Sequence, residues 1–145
     1  MNQEIDILLV ENNPGDAEMA VMALSQNNLA GKLLHVKDGA EALDYVFAEG
    51  KYAERQINHK PKVILLDLNL PKVNGIEVLL KIKSDDRTKS IPVIVLTASK
   101  EDPDIQQCYD LGVNSYVVKP VGFGEFQKVI SQLGLYWMIT NQQPI

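Results

Sequence analysis

Three runs of four consecutive Val, Ile or Leu residues in this 145-residue sequence constrain the fold more than any other feature. They lie within residues 5–10, 63–67 and 93–97. A strand with one face in water alternates apolar and polar residues, whereas a strand covered on both faces is apolar throughout. The runs therefore predict the interior strands of a parallel sheet that lies between two layers of helices.

Two further β-rich runs, residues 32–36 and 115–119, are more polar and suit the edges of that sheet. The segments between the five runs have helical spacing, and the first helix opens at Pro14. Its predicted apolar positions are Met19, Val21, Met22 and Leu24. Strand and helix alternate five times, which predicts an α/β domain of three layers with right-handed crossovers.

The length predicts one domain over residues 1–145, in which residues 137–145 form a short C-terminal tail. We expect no signal peptide and no membrane span, because no purely apolar run is longer than six residues. The formal net charge of −5, without a basic cluster, argues against nucleic acid as a partner. The single cysteine, Cys108, excludes an intramolecular disulfide, is interpreted as a small buried side chain, and is consistent with a cytoplasmic location.

Polar residues follow four of the predicted strands, at the sheet edge where ligands bind in open parallel sheets. They are Glu11-Asn12, Asp67 with Asn69, Thr97-Ala98, and Lys119. Taken singly, each has an ordinary structural explanation: helix capping for the acids and the threonine, a turn after Asp67, and a solvent-exposed lysine. Four such groups at neighbouring strand ends predict a binding site.

A carboxylate beside a lysine and a hydroxyl suits phosphoryl chemistry. Asp67 is a candidate nucleophile for a phosphoryl group, and Lys119 supplies a positive charge for its oxygens. The Thr97 hydroxyl and the Ala98 N–H can donate hydrogen bonds to the same oxygens. A Mg²⁺ ion held by acidic and carbonyl oxygens can supply further positive charge.

Four motifs in this order resemble the receiver domain of two-component response regulators. They are Leu8-Leu9-Val10-Glu11; Leu65-Leu66-Asp67-Leu68-Asn69-Leu70-Pro71 with Asn74-Gly75; Leu96-Thr97-Ala98; and Tyr116-Val117-Val118-Lys119-Pro120. The resemblance covers nearly the whole chain. The loop after the second helix and the aromatic end Leu135-Tyr136-Trp137 make the sequence similar to the single-domain receivers associated with phytochromes.

The resemblance implies a flavodoxin-like (CheY-like) doubly wound sheet in the order 2-1-3-4-5. It also implies that Asp67 accepts a phosphoryl group from a sensor histidine kinase, such as a phytochrome, while Thr97 and Lys119 contact that group. The implied ligands of Mg²⁺ are Glu11, Asn12, Asp67 and the backbone carbonyl of Asn69. Tyr116 matches the aromatic switch residue that turns inward when Thr97 moves. The Lys119–Pro120 bond is expected to be cis, which is a minority form of X–Pro bonds.

One residue departs from the family pattern, because Asn12 stands where a second metal-binding acid is usual. We expect weakened Mg²⁺ affinity in a working receiver, and we do not assign Asp16 as a substitute. The alternative is a pseudo-receiver that acts without phosphorylation. A hydrolase of the dehalogenase type would need an acid at Asn69, so the protein is expected not to be a turnover enzyme.

The segment from Trp137 to Ile139 places apolar side chains beyond the predicted core stripe of the last helix. Exposed apolar patches commonly mark contacts, so we predict a homodimer through the face formed by the fourth helix, the fifth strand, the fifth helix and the tail. The alternative is that Trp137 folds back onto its own domain. The sequence does not identify a downstream partner.

Overall fold

The computed structural model describes residues 5–143 and contains a five-stranded parallel sheet in the order β2-β1-β3-β4-β5. The strands are β1 (Ile7–Val10), β2 (Leu33–Val36), β3 (Val63–Leu66), β4 (Val93–Thr97) and β5 (Ser115–Val118). The predicted order and the predicted interior strands are confirmed. Most observed strands are one or two residues shorter than predicted, so Asp67 and Lys119 lie just beyond β3 and β5.

Helices cover both faces of the sheet. They are α1 (Pro14–Gln26), α2 (Gly39–Val46), α3 (Gly75–Lys83), α4 (Asp102–Asp110) and α5 (Phe123–Leu135). Successive residues of a strand point to opposite faces, so each interior strand contributes to two cores. Leu8, Ile64 and Val95 pack in the core with α2 and α3, whereas Leu9, Leu65 and Leu96 pack in the core with α1 and α5. Within residues 5–143 no helix is both long and apolar enough to cross a membrane.

The buried face of α1 differs from the predicted one. The structure buries Ala17, Ala20, Ala23 and Leu24, while Met22 is 44% exposed. Small side chains let α1 approach α5 closely, and a Cβ atom built on Gly134 of α5 would lie 2.5 Å from a methyl carbon of Leu24. The prediction followed the largest apolar residues and was therefore wrong about Met22. The Cys108 prediction is confirmed, because its side chain is fully buried and burial raises the pKa of its thiol to about 11.

The connection from α2 to β3 is held by aromatic and cationic contacts. A short 3₁₀ turn (Gly50–Tyr52) follows α2, and the Tyr52 hydroxyl donates a hydrogen bond of 2.7 Å to Glu41. The Arg55 guanidinium lies 3.8 Å from the centre of the Tyr45 ring and donates to the Tyr45 carbonyl. These contacts give the long loop a defined path over α2.

Ala48 lies between α2 and this loop and has a φ of +56°, in the left-handed region. That conformation costs an L-residue about 1–2 kcal/mol, whereas glycine adopts it freely. We expect Ala48→Gly to raise the free energy of unfolding by about 0.5–1 kcal/mol, after allowing for the flexibility of glycine in the unfolded chain. Ala53→Gly is the control. Ala53 has a φ of −61°, which alanine adopts without strain, so glycine at this position should lower the stability of the protein. Thermal melts that show no gain for Ala48→Gly over Ala53→Gly would contradict this.

The C-terminal segment is more ordered than predicted. A π-helical turn (Tyr136–Thr140) continues from α5 through part of the predicted tail, and residues 144–145 of that tail lie outside the described residues. Trp137 and Met138 are half-buried against the core shared by α1 and α5. Trp137 therefore folds back onto its own domain, as in the alternative, and does not itself form an exposed apolar patch.

Candidate functional site

The predicted strand-end residues meet around one ammonium group. Lys119 Nζ lies 2.7 Å from Glu11 Oε1 and 3.0 Å from Asp67 Oδ2. It also lies 2.8 Å from Oδ2 of Asp16, in the first turn of α1. The side chains of Lys119, Glu11 and Asp67 are each less than a tenth exposed. The geometry thus brings three carboxylates to a single cation at the carboxyl edge of the sheet.

Backbone groups fix the orientation of the two buried acids. The Asn13 N–H donates to Glu11 Oε2 at 3.1 Å, and the Asn69 N–H donates to Asp67 Oδ1 at 3.3 Å. These bonds use the carboxylate oxygens that do not contact Lys119. Each acid is therefore held between a turn and the lysine, with little freedom to rotate.

The two acids respond differently to this environment. Burial, supported by the nearby charge of Asp67, raises the pKa of Glu11 to about 7, although Lys119 and the Asn13 N–H oppose the shift. Burial acts in the same direction on Asp67, but the hydrogen bond and the charge of Lys119 outweigh it and leave the Asp67 pKa below its usual value. The three acids raise the pKa of Lys119 despite its burial. Asp67 is therefore the ionised carboxylate of the pair, as a nucleophile requires.

Thr97 is fully buried at the end of β4, and its hydroxyl has no hydrogen-bond partner within residues 5–143 that meets normal geometry. The hydroxyl nevertheless faces Asp67 closely enough to help lower the pKa of that carboxyl. Buried polar groups are ordinarily hydrogen-bonded, so an unpartnered hydroxyl beside a carboxylate indicates a place for an additional acceptor. The neighbouring Ala98 is exposed and lines the same cleft as Lys119.

The structure does not bring every predicted site residue into this cluster. Asn12 is exposed, lines a surface groove with His35 and Lys37, and takes no part in the ion pairs of Lys119. The side chain of Asn69 is also exposed, and its contribution is the backbone N–H described above. Tyr116 is half-buried on β5, and its hydroxyl donates to the Ser99 carbonyl at 2.9 Å, in the loop between β4 and α4.

The peptide bond between Lys119 and Pro120 is trans, because no peptide bond within residues 5–143 is cis. The expectation of a cis bond is wrong for this structure. Trans is the more stable form of most X–Pro bonds, by about 0.5–1 kcal/mol. The Lys119 N–H donates to the Thr97 carbonyl at 2.7 Å, so the trans backbone still holds Lys119 beside β4.

Asp16 is the site residue that sequence reasoning missed. It lies in the first turn of α1, three residues after the N-cap Asn13, whose side chain accepts a hydrogen bond from the Asp16 N–H. Its carboxylate contacts a lysine 103 residues away in the sequence. The available signal was the position of Asp16 in the first turn of α1, which begins shortly after β1 and the predicted site residue Glu11.

The donor set suits a hard divalent cation. The carboxylates of Glu11 and Asp67 contact the same ammonium nitrogen, and three acids against one lysine leave the cluster formally negative. In the described part of the chain, no three histidine, cysteine or acidic side chains are placed to hold a metal ion by themselves. Mg²⁺ fits this arrangement, since it is commonly bound through one or two carboxylates and retains several water molecules.

Comparisons with known proteins agree with this geometry. The sequence model of the response regulator receiver domain matches residues 7–131. A probable methanogenesis regulatory protein, FilR2 of Methanothrix harundinacea, is 38% identical over 138 residues, covering 95% of this chain and 86% of that protein.

Two solved structures are similar over nearly their whole length. The phosphorylated cyanobacterial phytochrome response regulator RcpA has a TM-score of 0.90 and 38% identity, covering 99% of this chain and all of that one. The Mn²⁺-bound response regulator Rcp1 has a TM-score of 0.89 and 34% identity, covering 96% of this chain and 98% of that one. The sequence of Rcp1 from Synechocystis is 35% identical and covers 95% of this chain and 92% of that protein.

Proposed function

Since the chain belongs to the response regulator receiver family of two-component signalling, we propose that it accepts a phosphoryl group on Asp67 from a sensor histidine kinase. The observation that carries the proposal is the buried, ionised Asp67 between the Lys119 ammonium and the unpartnered Thr97 hydroxyl. The receiver family consists of signalling proteins, and the output proposed here is a phosphorylation-dependent change in protein–protein contacts.

The residues have distinct roles in the transfer. A carboxylate oxygen of Asp67 forms a bond to phosphorus as the bond from phosphorus to the donor nitrogen or oxygen breaks. Lys119, the Thr97 hydroxyl and the Ala98 N–H donate to the phosphoryl oxygens, where negative charge is spread in the transition state. Because Lys119 is already desolvated beside Asp67, its charge acts strongly on a group bound there.

Receiver domains bind a divalent metal, and the metal proposed for this chain is Mg²⁺. Glu11, Asp67 and the backbone carbonyl of Asn69 would hold it, and Asn12 would contribute a neutral oxygen in place of the usual acid. The bound ion would neutralise part of the phosphoryl charge. The Rcp1 structure is of the Mn²⁺-bound form of a protein 34% identical to this chain, which supports a divalent site here.

Thr97 and Tyr116 are proposed as the switch. A Thr97 hydroxyl that turns toward the phosphoryl group vacates space between β4 and β5, and the Tyr116 ring can then turn inward. That movement would break the bond from the Tyr116 hydroxyl to the Ser99 carbonyl and change the surface formed by α4, β5 and α5. Binding of a partner to the changed surface would transmit the signal.

The upstream partner proposed is a sensor kinase of the phytochrome type, working in the cytoplasm. RcpA is named as a phytochrome response regulator, and its structure superimposes over nearly all of this chain. The protein is proposed to be a phosphoacceptor with slow self-dephosphorylation at most, and not a turnover enzyme.

The test of this function is incubation with acetyl phosphate, a small-molecule phosphoryl donor. We expect one base-labile phosphate per chain in the presence of Mg²⁺ and none in EDTA, measured by intact-protein mass. A pseudo-receiver that acts by constitutive contact would gain no phosphate under either condition. No incorporation at saturating Mg²⁺ would therefore favour the pseudo-receiver alternative over this proposal.

Asn12→Asp is expected to tighten Mg²⁺ binding by about ten- to a hundredfold, because it places a carboxylate directly after Glu11, where the family pattern has a second metal-binding acid. The same change should lower the melting temperature in EDTA, since it adds repulsion to a cluster that already holds three carboxylates. Asn58→Asp, on the exposed loop before β3, is the matched control for net charge. If the Mg²⁺ affinity of Asn12→Asp equals that of the control in a titration, Asn12 does not face the metal.

A homodimer through α4, β5, α5 and the C-terminal turn also remains our proposal. Trp137 and Met138 pack on their own domain, so the apolar surface left for a partner on this face includes Ile139, which is 67% exposed, Phe123, which is 55% exposed, and Tyr109, which is 52% exposed. We expect Ile139→Asp to weaken dimerisation at least tenfold in sedimentation experiments, whereas Met22→Asp on the exposed side of α1 should not. A wild-type protein that is monomeric at high micromolar concentration, with and without beryllofluoride, would contradict the dimer.

A further inference from the structure

Asp16 contacts Lys119 although the phosphoryl site proposed above does not require it. Its Oδ2 lies 2.8 Å from Lys119 Nζ, between the separations of Glu11 (2.7 Å) and Asp67 (3.0 Å) from the same nitrogen. The contact joins the first turn of α1 to the end of β5. The motifs of the family assign no role in phosphoryl transfer to a residue at the position of Asp16.

The local structure of α1 shows that this contact is not a by-product of helix capping. An acid three residues after the N-cap often turns back to accept from the N-cap N–H, as in a capping box. Here the Asn13 N–H donates to Glu11 instead, which leaves the Asp16 carboxylate directed at Lys119. The sequence Glu11 to Asp16 thus supplies two carboxylates to one ammonium.

The three contacts saturate Lys119. An ammonium group has three N–H donors, and Glu11, Asp16 and Asp67 are three acceptors at 2.7–3.0 Å. If Lys119 is to donate to a phosphoryl oxygen on Asp67, one existing contact must be given up. The Asp16 side chain is 24% exposed, against 4% for Glu11 and 8% for Asp67, so Asp16 is the acid that water can most readily solvate after release.

We propose that Asp16 is a positioning residue that occupies one N–H donor of Lys119 until Asp67 is modified, and that modification frees this donor for a phosphoryl oxygen. The inference rests on the proposed function, because the phosphoryl oxygen is the competing acceptor. In the unmodified protein, acids then occupy all three N–H groups of Lys119. Asp16 thereby lowers the affinity of the site for a phosphoryl group, which must compete for one of these donors. Its release also removes the ion pair that joins α1 to β5.

The test is the affinity for beryllofluoride, a phosphoryl analogue, at saturating Mg²⁺. We expect Asp16→Asn to bind beryllofluoride about tenfold more tightly than wild type. This is the gain for a wild-type protein in which Lys119 is free to donate about a tenth of the time. Glu18→Gln, an exposed acid two residues further along α1, removes the same charge and should leave the affinity within twofold. If Asp16 only supported the fold, its removal would weaken binding or leave it unchanged, and either result would overturn the proposal.

A second measurement uses the wild-type protein and does not depend on the folding of a variant. The carboxyl ¹³C resonance of Asp16 should move toward that of a solvated aspartate when beryllofluoride binds, whereas the Glu18 carboxyl should not move. An unchanged Asp16 resonance in a protein that binds beryllofluoride would refute release. A wild-type protein that binds no beryllofluoride would overturn the proposed function itself, and the role of Asp16 with it.

Discussion

Asp67→Asn is expected to abolish the gain of base-labile phosphate from acetyl phosphate. The amide cannot act as the nucleophile that a carboxylate provides, and the other acids of the cluster cannot replace it. Glu11 is bonded to the Asn13 N–H and Lys119, and its raised pKa leaves it a poorer source of carboxylate at neutral pH. Asp16 contacts Lys119, but the carboxyl whose pKa the Thr97 hydroxyl helps to lower is that of Asp67.

The matched control is Asp86→Asn, because the Asp86 side chain is 93% exposed and forms a surface ion pair with Lys89 at 2.9 Å. That variant should be phosphorylated to the same extent as wild type. Intact mass after a fixed incubation measures both variants. If Asp67→Asn gained an equal amount of base-labile phosphate, another carboxylate would be the acceptor and the assignment of Asp67 would be wrong.

Gly75→Ala is expected to lower the free energy of unfolding by about 2–3 kcal/mol, the upper part of the usual range for overpacking, because the site cannot relax. A Cβ atom at this position would lie 2.3 Å from the Asp67 carbonyl oxygen and 2.5 Å from the Leu68 Cα. Both are backbone atoms at the start of the loop after β3, so no side-chain rotation relieves the contact. Displacement of this backbone should also slow phosphorylation of Asp67 at least tenfold.

Gly124→Ala is the control for the glycine change, because nothing lies within 4 Å of a Cβ atom built in the first turn of α5. Alanine favours a helix over glycine by about 1 kcal/mol, so this variant should be slightly more stable than wild type. Chemical denaturation gives both free energies. Equal stability of Gly75→Ala and wild type would show that α3 can move away from Asp67 without cost.

The sheet could be predicted from the sequence because its interior strands are apolar on both faces. The run from Ile7 to Val10 is buried at every residue, and so is β4, as continuous apolar patterns require. The face of α1 could not be predicted by the size of its apolar residues. The close approach of α1 to α5, where Leu24 lies against Gly134, leaves room only for small side chains elsewhere in the interface and leaves Met22 outside.

The part of the candidate site that could be predicted is the set of residues placed by the ends of strands. Asp67, Thr97 and Lys119 lie together because parallel strands end at one edge of a sheet. Asp16 was not predictable, since its contact with Lys119 depends on the angle at which α1 leaves β1. The packing of Trp137 likewise depends on the π-helical turn after α5, which no periodicity in the sequence indicated.

A crystal structure of the protein with Mg²⁺ and beryllofluoride tests the central claim most directly. We expect beryllium bonded to an Asp67 carboxylate oxygen, with its fluorine atoms accepting from Lys119 Nζ and from the Thr97 hydroxyl that now lacks a partner within the described residues. A density map with Asp67 unmodified at saturating beryllofluoride, or with the analogue on another acid, would contradict the account.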